Sequence, residues 1–366
     1  MLHGETTSAY APVGEAFARC FDELGETGAA AAVYVDGRCV ADLWGGVADL
    51  ASQRPWSAQT LVNVYSVGKP FAALVLLRLV DAGRVDLDAP VARYWPEFAQ
   101  AGKAAVPVRW LLTHQAGLLG LRAPLPPEAL FDWPRLCNAL AAEPPWWPPG
   151  ARCGEQALFF GHLVGEVARR AGGAPIGAAW RDGVAAPWRL DVHLGVADAD
   201  LARCADVYAT DAFRTACAHR GWREALANPP GAHDPAVVNG RAWRQAEIPA
   251  VNAHASARGV ARCYGGLAAG GVLDGERRLS AALLEAAITT QFAGDDVLLG
   301  ERVRWGLGFR IDDDGFGMGG IGGSLAWGNR ERRFGFAYVT HRLDTHERAL
   351  RVFAAAARVA GFDPLG

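Results

Sequence analysis

The sequence predicts an α/β protein in which both ends of the chain build one antiparallel sheet around a helical middle. β-prone runs at residues 29–35 and 39–44 are joined by Asp36-Gly37, a dipeptide that suits a tight hairpin. Strand signals return near the C-terminus at residues 306–311, 323–327 and 334–340. Between residues 85 and 270 such signals are sparse, and helices with long loops are expected there.

Apolar patterns place the helices. We expect the chain to open with a helix before the hairpin, and residues 66–82 to form a buried helix that is apolar nearly all round, with Gly83 ending it. A further helix is predicted at residues 157–171, and an Ala-rich helix at residues 344–360 closes the chain. Helices therefore flank the predicted sheet at both termini.

Composition excludes several classes of function. The 366 residues are 51% hydrophobic, enough to fill a sizeable core, and the net charge of −3 comes with no Lys/Arg cluster. We therefore expect no nucleic-acid partner. The longest apolar helical run, residues 71–80, is too short to span a bilayer, so no membrane partner is expected either. The N-terminus lacks the pattern of a secretory signal, which predicts a cytoplasmic protein.

The cysteines predict no metal or cofactor site. There are seven, widely scattered, with no C-x-x-C pair and no Cys/His ligand spacing. Buried thiols are the expected state.

Ser66 and Lys69 are the candidate catalytic pair. Three residues apart on a helix, their side chains project from one face within reach of each other. A serine hydroxyl becomes a good nucleophile when a neighbour takes its proton, which a desolvated lysine can do. The chain has only two lysines, so the spacing is uncommon by composition. The alternative is an N-capping Ser66 beside a solvated first-turn lysine.

A resemblance to a known family rests on motifs along most of the chain. They are LVNVYSVGK at 61–69, LDAPVARYWPEF at 87–98, LLTHQAGL at 111–118, NAH at 252–254 and GGSL at 322–325. From residue 28 onward the chain resembles the serine β-lactamase-like hydrolases related to penicillin-binding proteins, especially their esterase branch, the family VIII carboxylesterases. The resemblance implies a β-lactamase/transpeptidase-like fold, with an α/β sandwich domain at residues 1–84 and 271–366 and a helical domain carrying active-site loops at 85–270.

The same resemblance implies an acyl-enzyme on Ser66, in a cleft between the two domains. The oxyanion would be held by the backbone N–H groups of Ser66 and Ile321.

Two departures from the family pattern stand out. Glu155 falls where the family carries a tyrosine that helps move the proton, and it is either a proton-handling carboxylate or an ordinary glutamate near a helix start. The third motif reads Met318-Gly319-Gly320-Ile321, with a thioether where a polar or aromatic group is usual. We expect Met318, Gly319 and Gly320 to contact substrate.

For residues in two segments, both a structural and a functional role can be considered. The Pro-flanked pair Trp146 and Trp147 either packs on the surface or walls an acyl pocket. His114 is expected to be structural.

Three functions are compatible with these residues. The first is a carboxylesterase that hydrolyses a small-molecule ester or amide, and the second is a transacylase that delivers the acyl group to an amine or alcohol. The third is a non-catalytic binder that kept the cleft. Weak turnover of β-lactams is compatible with the first two, and oligomeric state is not predicted.

Overall fold

The computed structural model describes residues 2–363. Its strands are β1 (Leu2–Thr6), β2 (Gly28–Val35), β3 (Arg38–Asp49), β4 (Arg54–Pro55), β5 (Val62–Asn63), β6 (Val192–His193), β7 (Tyr208–Ala209), β8 (His254–Ala255), β9 (Val272–Leu273), β10 (Glu276–Arg277), β11 (Phe292–Asp295), β12 (Arg302–Trp305), β13 (Arg310–Asp312), β14 (Gly315–Gly320), β15 (Ser324–Asn329), β16 (Phe334–Thr340) and β17 (Arg342–Leu343).

The α-helices are α1 (Ala11–Glu23), α2 (Lys69–Asp81), α3 (Val108–Leu112), α4 (Trp133–Ala142), α5 (Phe160–Gly172), α6 (Ile176–Trp180), α7 (Asp211–Ala218), α8 (Arg220–Leu226), α9 (Pro235–Val238), α10 (Arg241–Gln245), α11 (Ala257–Ala268), α12 (Ala281–Ala287) and α13 (Glu347–Ala360). A π-helical turn, Arg181–Ala185, follows α6. Short 3-10 helices lie at Ser8–Tyr10, Tyr65–Gly68, Val91–Arg93, Pro96–Ala99, Pro127–Phe131 and Asp198–Arg203.

One large sheet joins the two ends of the chain. Its strands run in the order β1-β3-β2-β16-β15-β14-β13-β12-β11, with β4 beside β3, and neighbouring strands are antiparallel. Strands β2 and β16 pair from Val35 opposite Phe334 to Ala29 opposite Thr340. The predicted fold class, with a sheet made from both termini, is confirmed.

Helices cover both faces of this sheet because its strand residues alternate between two apolar layers. Helices α1 and α13 pack on one face, where Phe17 contacts Tyr338 and Phe353 contacts Phe336. On the other face, α11 packs against β2, β15 and β16. Helix α11 lies within residues 85–270, which the sequence analysis assigns to the helical domain. In the structure it packs on the sheet. That division stays a prediction.

A buried acidic residue ties the first face together. Glu26 is 5% exposed, and its Oε2 lies 3.0 Å from Nε of Arg348 on α13. The same oxygen accepts a hydrogen bond from the Tyr338 hydroxyl at 2.7 Å. Oε1 accepts from the N–H groups of Thr27 and Gly28 at 2.8 and 3.1 Å. The carboxylate thus links the loop after α1, strand β16 and α13.

The structure corrects the sequence analysis at several elements. Strand β1 precedes the first helix, and its residues are exposed or half-buried, so no apolar alternation marks it. Only residues 310 and 311 of the strand predicted at 306–311 lie in a strand, β13, because the chain turns at Gly308 (φ +89°) between β12 and β13. Cys39, at the hairpin end of β3, is exposed, whereas the other six cysteines are buried.

Both lysines of the chain are fully buried. Lys103 serves the fold, since its Nζ donates to the carbonyl oxygens of Ala141 and Glu143 at 3.0 and 2.6 Å, where α4 ends. Burial lowers the pKa of Lys103 to about 8.

The helices between residues 2 and 363 all fall short of the length and apolar character that crossing a bilayer requires.

Candidate active site

Ser66 lies in a tight turn directly before α2. The turn is the 3-10 helix Tyr65–Gly68, so the α-helix begins at Lys69 and not at Ser66 as predicted. Tyr65 has φ +48°, a backbone conformation that residues other than glycine rarely adopt. Strand β14 approaches this turn so closely that a Cβ added to Gly320 would lie 2.2 Å from the carbonyl oxygen of Val64. Tertiary packing therefore holds strained backbone immediately before the serine.

The turn brings the side chains of Ser66 and Lys69 together. Nζ of Lys69 donates to Oγ of Ser66 at 2.5 Å, and Lys69 is fully buried. Burial disfavours the charged amine and lowers the pKa of Lys69, while the nearby carboxylates of Glu155 and Asp296 oppose that shift. The alternative in which Lys69 is a solvated first-turn residue is therefore wrong, because its side chain is buried.

Glu155 reaches the same lysine from the other side. Its Oε1 lies 2.8 Å from Nζ of Lys69, and the side chain is 7% exposed. Helix α5 begins only at Phe160, five residues after Glu155, so the expected helix at 157–171 starts later. The carboxylate therefore pairs with Lys69 and does not stabilise the first turn of a helix.

His114 supports the Glu155 segment through its ring and backbone. Its ring packs against Phe160 and Trp305, with centroids 5.0 and 4.5 Å away. Nδ1 accepts from the N–H of Gln156 at 3.2 Å, and the carbonyl oxygen accepts from the N–H of Gly154 at 3.0 Å. Burial lowers the pKa of His114 to about 4, so the ring is neutral near pH 7. These contacts agree with the structural role expected for it.

A cavity of about 460 Å³ opens onto Ser66 and Glu155. Its walls come from α7, α8, the loop before β12, strands β12 to β14 and the segment before α13. The lining residues are Ser66, Glu155, Ala212, Phe213, Ala216, Trp222, Leu299, Glu301, Trp305, Arg310, Met318, Gly319, Ile321, Gly322, Asp344, Thr345 and His346. Most of them are apolar, which makes this a site for a largely apolar group.

The predicted substrate residues divide into two groups. Met318 and Gly319 line the cavity, and so does Ile321, which directly follows β14. Gly320 and both tryptophans lie outside its lining. Trp146 packs under the guanidinium of Arg122 and donates from Nε1 to the carbonyl oxygen of Gly120, so the structure gives it packing contacts and no place at the cavity.

Trp147 lies closer to the site but still behind it. A Cβ added to Gly154 would lie 2.5 Å from its ring, so the indole backs the Glu155 loop. The acyl-pocket interpretation of the two tryptophans is therefore not supported by their positions.

Two functional candidates escaped the sequence analysis. His346 lines the cavity just before α13, and Asp296 accepts a hydrogen bond from the backbone N–H of Glu155 at 3.2 Å. Both are far from Ser66 in sequence and belong to no local motif, so only the fold brings them to the site.

No group of three or more His, Cys, Asp or Glu side chains within residues 2–363 is arranged to hold a metal ion.

Comparison with known proteins finds similarity to beta-lactamases, esterases and a penicillin-binding protein homologue. A family model described as Beta-lactamase matches residues 17–360. The esterase/beta-lactamase LipL of Mycobacterium tuberculosis is 37% identical over 401 aligned positions, which cover 100% of this chain and 91% of that protein. A family VIII carboxylesterase structure superposes with a TM-score of 0.91 at 36% identity, covering 98% of this chain and 100% of the other. A penicillin-binding protein homologue from Caulobacter crescentus gives a TM-score of 0.88 at 36% identity with the same coverage.

Proposed function

Because this chain belongs to the beta-lactamase family, we propose that it is a serine ester hydrolase that works through an acyl-Ser66 intermediate. The observation that carries the proposal is the position of Lys69 Nζ, 2.5 Å from Ser66 Oγ and 2.8 Å from Glu155 Oε1 at the edge of a cavity. Similar proteins named as an esterase and a family VIII carboxylesterase support the reaction class.

The three side chains can close a proton cycle. In acylation, the Ser66 proton moves to an uncharged Lys69 amine while Oγ bonds to the acyl carbon. As the ester C–O bond breaks, Lys69 gives that proton to the departing alkoxide. This leaves Lys69 uncharged beside the Glu155 carboxylate.

Deacylation reverses the transfers. The Glu155 carboxylate takes a proton from water as the water oxygen bonds to the acyl carbon, and that proton passes through Lys69 to Ser66 Oγ as the serine ester breaks. Charge on the oxyanion would be held by the backbone N–H groups of Ser66 and Ile321. Each turn of the cycle restores the starting protonation of both residues.

The cavity wall favours an uncharged substrate. Its charged side chains already have partners: Glu155 with Lys69, Glu301 with Arg310, and Asp344 with Arg342 and Arg348. An anionic substrate would have to break one of these pairs or bury an unpaired carboxylate, which is costly. We expect p-nitrophenyl butyrate to exceed p-nitrophenyl hemisuccinate in kcat/KM by at least about tenfold, which corresponds to about 1.4 kcal/mol.

Intact-protein mass spectrometry after exposure to p-nitrophenyl esters tests the acyl-enzyme. The wild type should gain one acyl mass, mapped to Ser66, and Ser66→Ala should gain none. Ser52→Ala, which alters an exposed turn serine, should behave as wild type. Undiminished acylation of Ser66→Ala would overturn the proposal.

The same experiment separates hydrolysis from transfer, because an acyl-enzyme can also react with an amine or alcohol. Adding simple amines and alcohols should leave free acid as the main product if the chain is an esterase. Amide or new ester as the main product would identify a transacylase, and an unacylated wild type would identify a binder.

A further inference from the structure

Asp296 is a second buried carboxylate beside the proposed catalytic pair. It is 1% exposed and lies in the loop between β11 and β12. Its Oδ1 accepts three backbone N–H groups, from Glu155 at 3.2 Å, Leu298 at 2.9 Å and Leu299 at 3.1 Å. Its Oδ2 accepts from Sγ of Cys153 at 3.2 Å. Three backbone N–H groups and one thiol therefore converge on this carboxylate.

These contacts join two walls of the site. The Glu155 segment and the 296–301 loop also pair through their backbones, since the Val297 N–H donates to the Cys153 carbonyl oxygen at 3.0 Å. Leu299 and Glu301 from this loop line the cavity together with Glu155. One carboxylate thus fixes the backbone that carries Glu155 and the backbone of the neighbouring wall.

Asp296 also acts on the site through its charge. The titratable and charged groups around it are Lys69 at the start of α2, His114 after α3, Cys153 and Glu155 before α5, and Glu301 in its own loop. Its negative charge favours a protonated Lys69, whereas burial disfavours it.

We propose that Asp296 is a positioning residue of the acyl-transfer site, which fixes Glu155 against Lys69 and sets the pH range over which the pair works. The inference rests on the proposed function of Ser66, Lys69 and Glu155. It assigns a role to a carboxylate that does not itself line the cavity.

The direction of the effect follows from charge. Lys69 accepts the Ser66 proton only when it is uncharged, so the acid limb of kcat/KM reports the loss of its proton. Removing the Asp296 charge lowers the pKa of Lys69 further, because the carboxylate opposes the effect of burial. The acid limb then moves to lower pH.

Asp296→Asn tests the inference, because asparagine keeps an oxygen acceptor for the three N–H groups and loses the charge. The neighbouring Asp295 is exposed and provides the matched control Asp295→Asn. We expect the acid limb of kcat/KM for p-nitrophenyl butyrate to move down by about half a pH unit or more in Asp296→Asn. The limb of Asp295→Asn should coincide with that of the wild type.

A merely structural role would lower the thermal unfolding temperature of Asp296→Asn and leave its pH limb in place, which would overturn the inference. An equal shift in both variants would do the same, since it would show a general charge effect. If Asp296→Asn does not fold, Asp296→Ser is also uncharged, keeps an oxygen acceptor and gives the same comparison.

Labelling of Ser66 by a fluorophosphonate separates the two hypotheses. A wild type that is not labelled at Ser66 contradicts the proposed function. Labelled wild type with an unshifted Asp296→Asn limb contradicts only the role of Asp296.

Discussion

Nζ of Lys69 lies 2.8 Å from Oε1 of Glu155, and both side chains are withdrawn from solvent. Taking two such groups out of water is costly unless each has a good partner. Lys69 has the Ser66 hydroxyl and the Glu155 carboxylate as partners, so the buried pair is hydrogen-bonded and contacts the proposed nucleophile. Predictions for both members follow from this geometry.

Replacement of Lys69 should show that its ability to lose a proton matters more than its positive charge. Arginine stays protonated and cannot accept from Ser66, so Lys69→Arg should lose activity nearly as fully as Lys69→Ala, by about 10²-fold or more. Steady-state ester hydrolysis measures the loss, and circular dichroism confirms that each variant is folded. Wild-type rates in the arginine variant would exclude Lys69 as the proton acceptor.

Glu155→Gln should reduce acyl transfer by about 10²-fold and change the pH profile, because the amide cannot exchange a proton. Stability should change little, since the amide oxygen can still accept from Lys69, which can shed its own charge. The measurements are rate against pH and thermal unfolding for wild type, Glu155→Gln and Glu155→Tyr.

Glu301→Gln is the matched control for Glu155, because Glu301 lines the same cavity but pairs with Arg310 near the surface. It should keep most of the activity. A Glu155→Gln enzyme with an unaltered rate and profile would make Glu155 a structural residue.

His162→Leu should stabilise the protein at acid pH. His162 is buried, its ring nitrogens have no hydrogen-bond partner among the described residues, and burial lowers its pKa to about 3. An unfolded histidine binds a proton below about pH 6.5, so this residue costs stability as pH falls from about 6.5 toward 3, by up to about 1.4 kcal/mol per pH unit. Leucine binds no proton in either state.

Urea unfolding at pH 7.5 and pH 5.0 measures this difference. The gain of His162→Leu over wild type should be larger at pH 5.0, whereas His3→Leu, which alters an exposed residue of β1, should show no such dependence. Equal gains at both pH values would contradict the assignment.

Glu26→Ala should destabilise the fold strongly. It leaves Arg348, 3% exposed, without its buried partner, and breaking such a pair costs about 3–5 kcal/mol. Glu23→Ala removes an exposed carboxylate that pairs with Arg351 and should cost at most about 1 kcal/mol. Chemical unfolding of both variants gives the comparison, and a small effect of Glu26→Ala would show that the site relaxes.

The local part of the site was predictable from sequence. Ser66 and Lys69 are three residues apart in a chain with two lysines, so spacing alone brought them together, and the aligned tyrosine position pointed to Glu155. Long-range contacts were not predictable in this way. Asp296 contacts Glu155 from a loop 141 residues further along the chain. Its neighbour Asp295 is the same residue type, and only the fold shows that Asp296 is the buried one of the two.

The remaining differences have the same origin. Trp146 and Trp147 precede Glu155 closely in sequence, but Trp147 packs behind the Glu155 loop and Trp146 packs on Arg122, so neither lines the cavity. Strand β1 lies at the edge of the sheet without a buried face, so its sequence has no apolar alternation to recognise.

The burial of both lysines has a consequence for how the protein meets reactive acyl compounds. Lysine amines are the usual targets of acetylating reagents, isopeptide-forming enzymes and surface coupling chemistry. Here neither lysine side chain is accessible in the folded state, because Lys69 lies behind Ser66 and Lys103 lies under the end of α4. Activated esters therefore meet no lysine side chain on the outer surface of the folded protein. Reagents that label lysine side chains should modify this chain only when it unfolds, so such labelling measures unfolding.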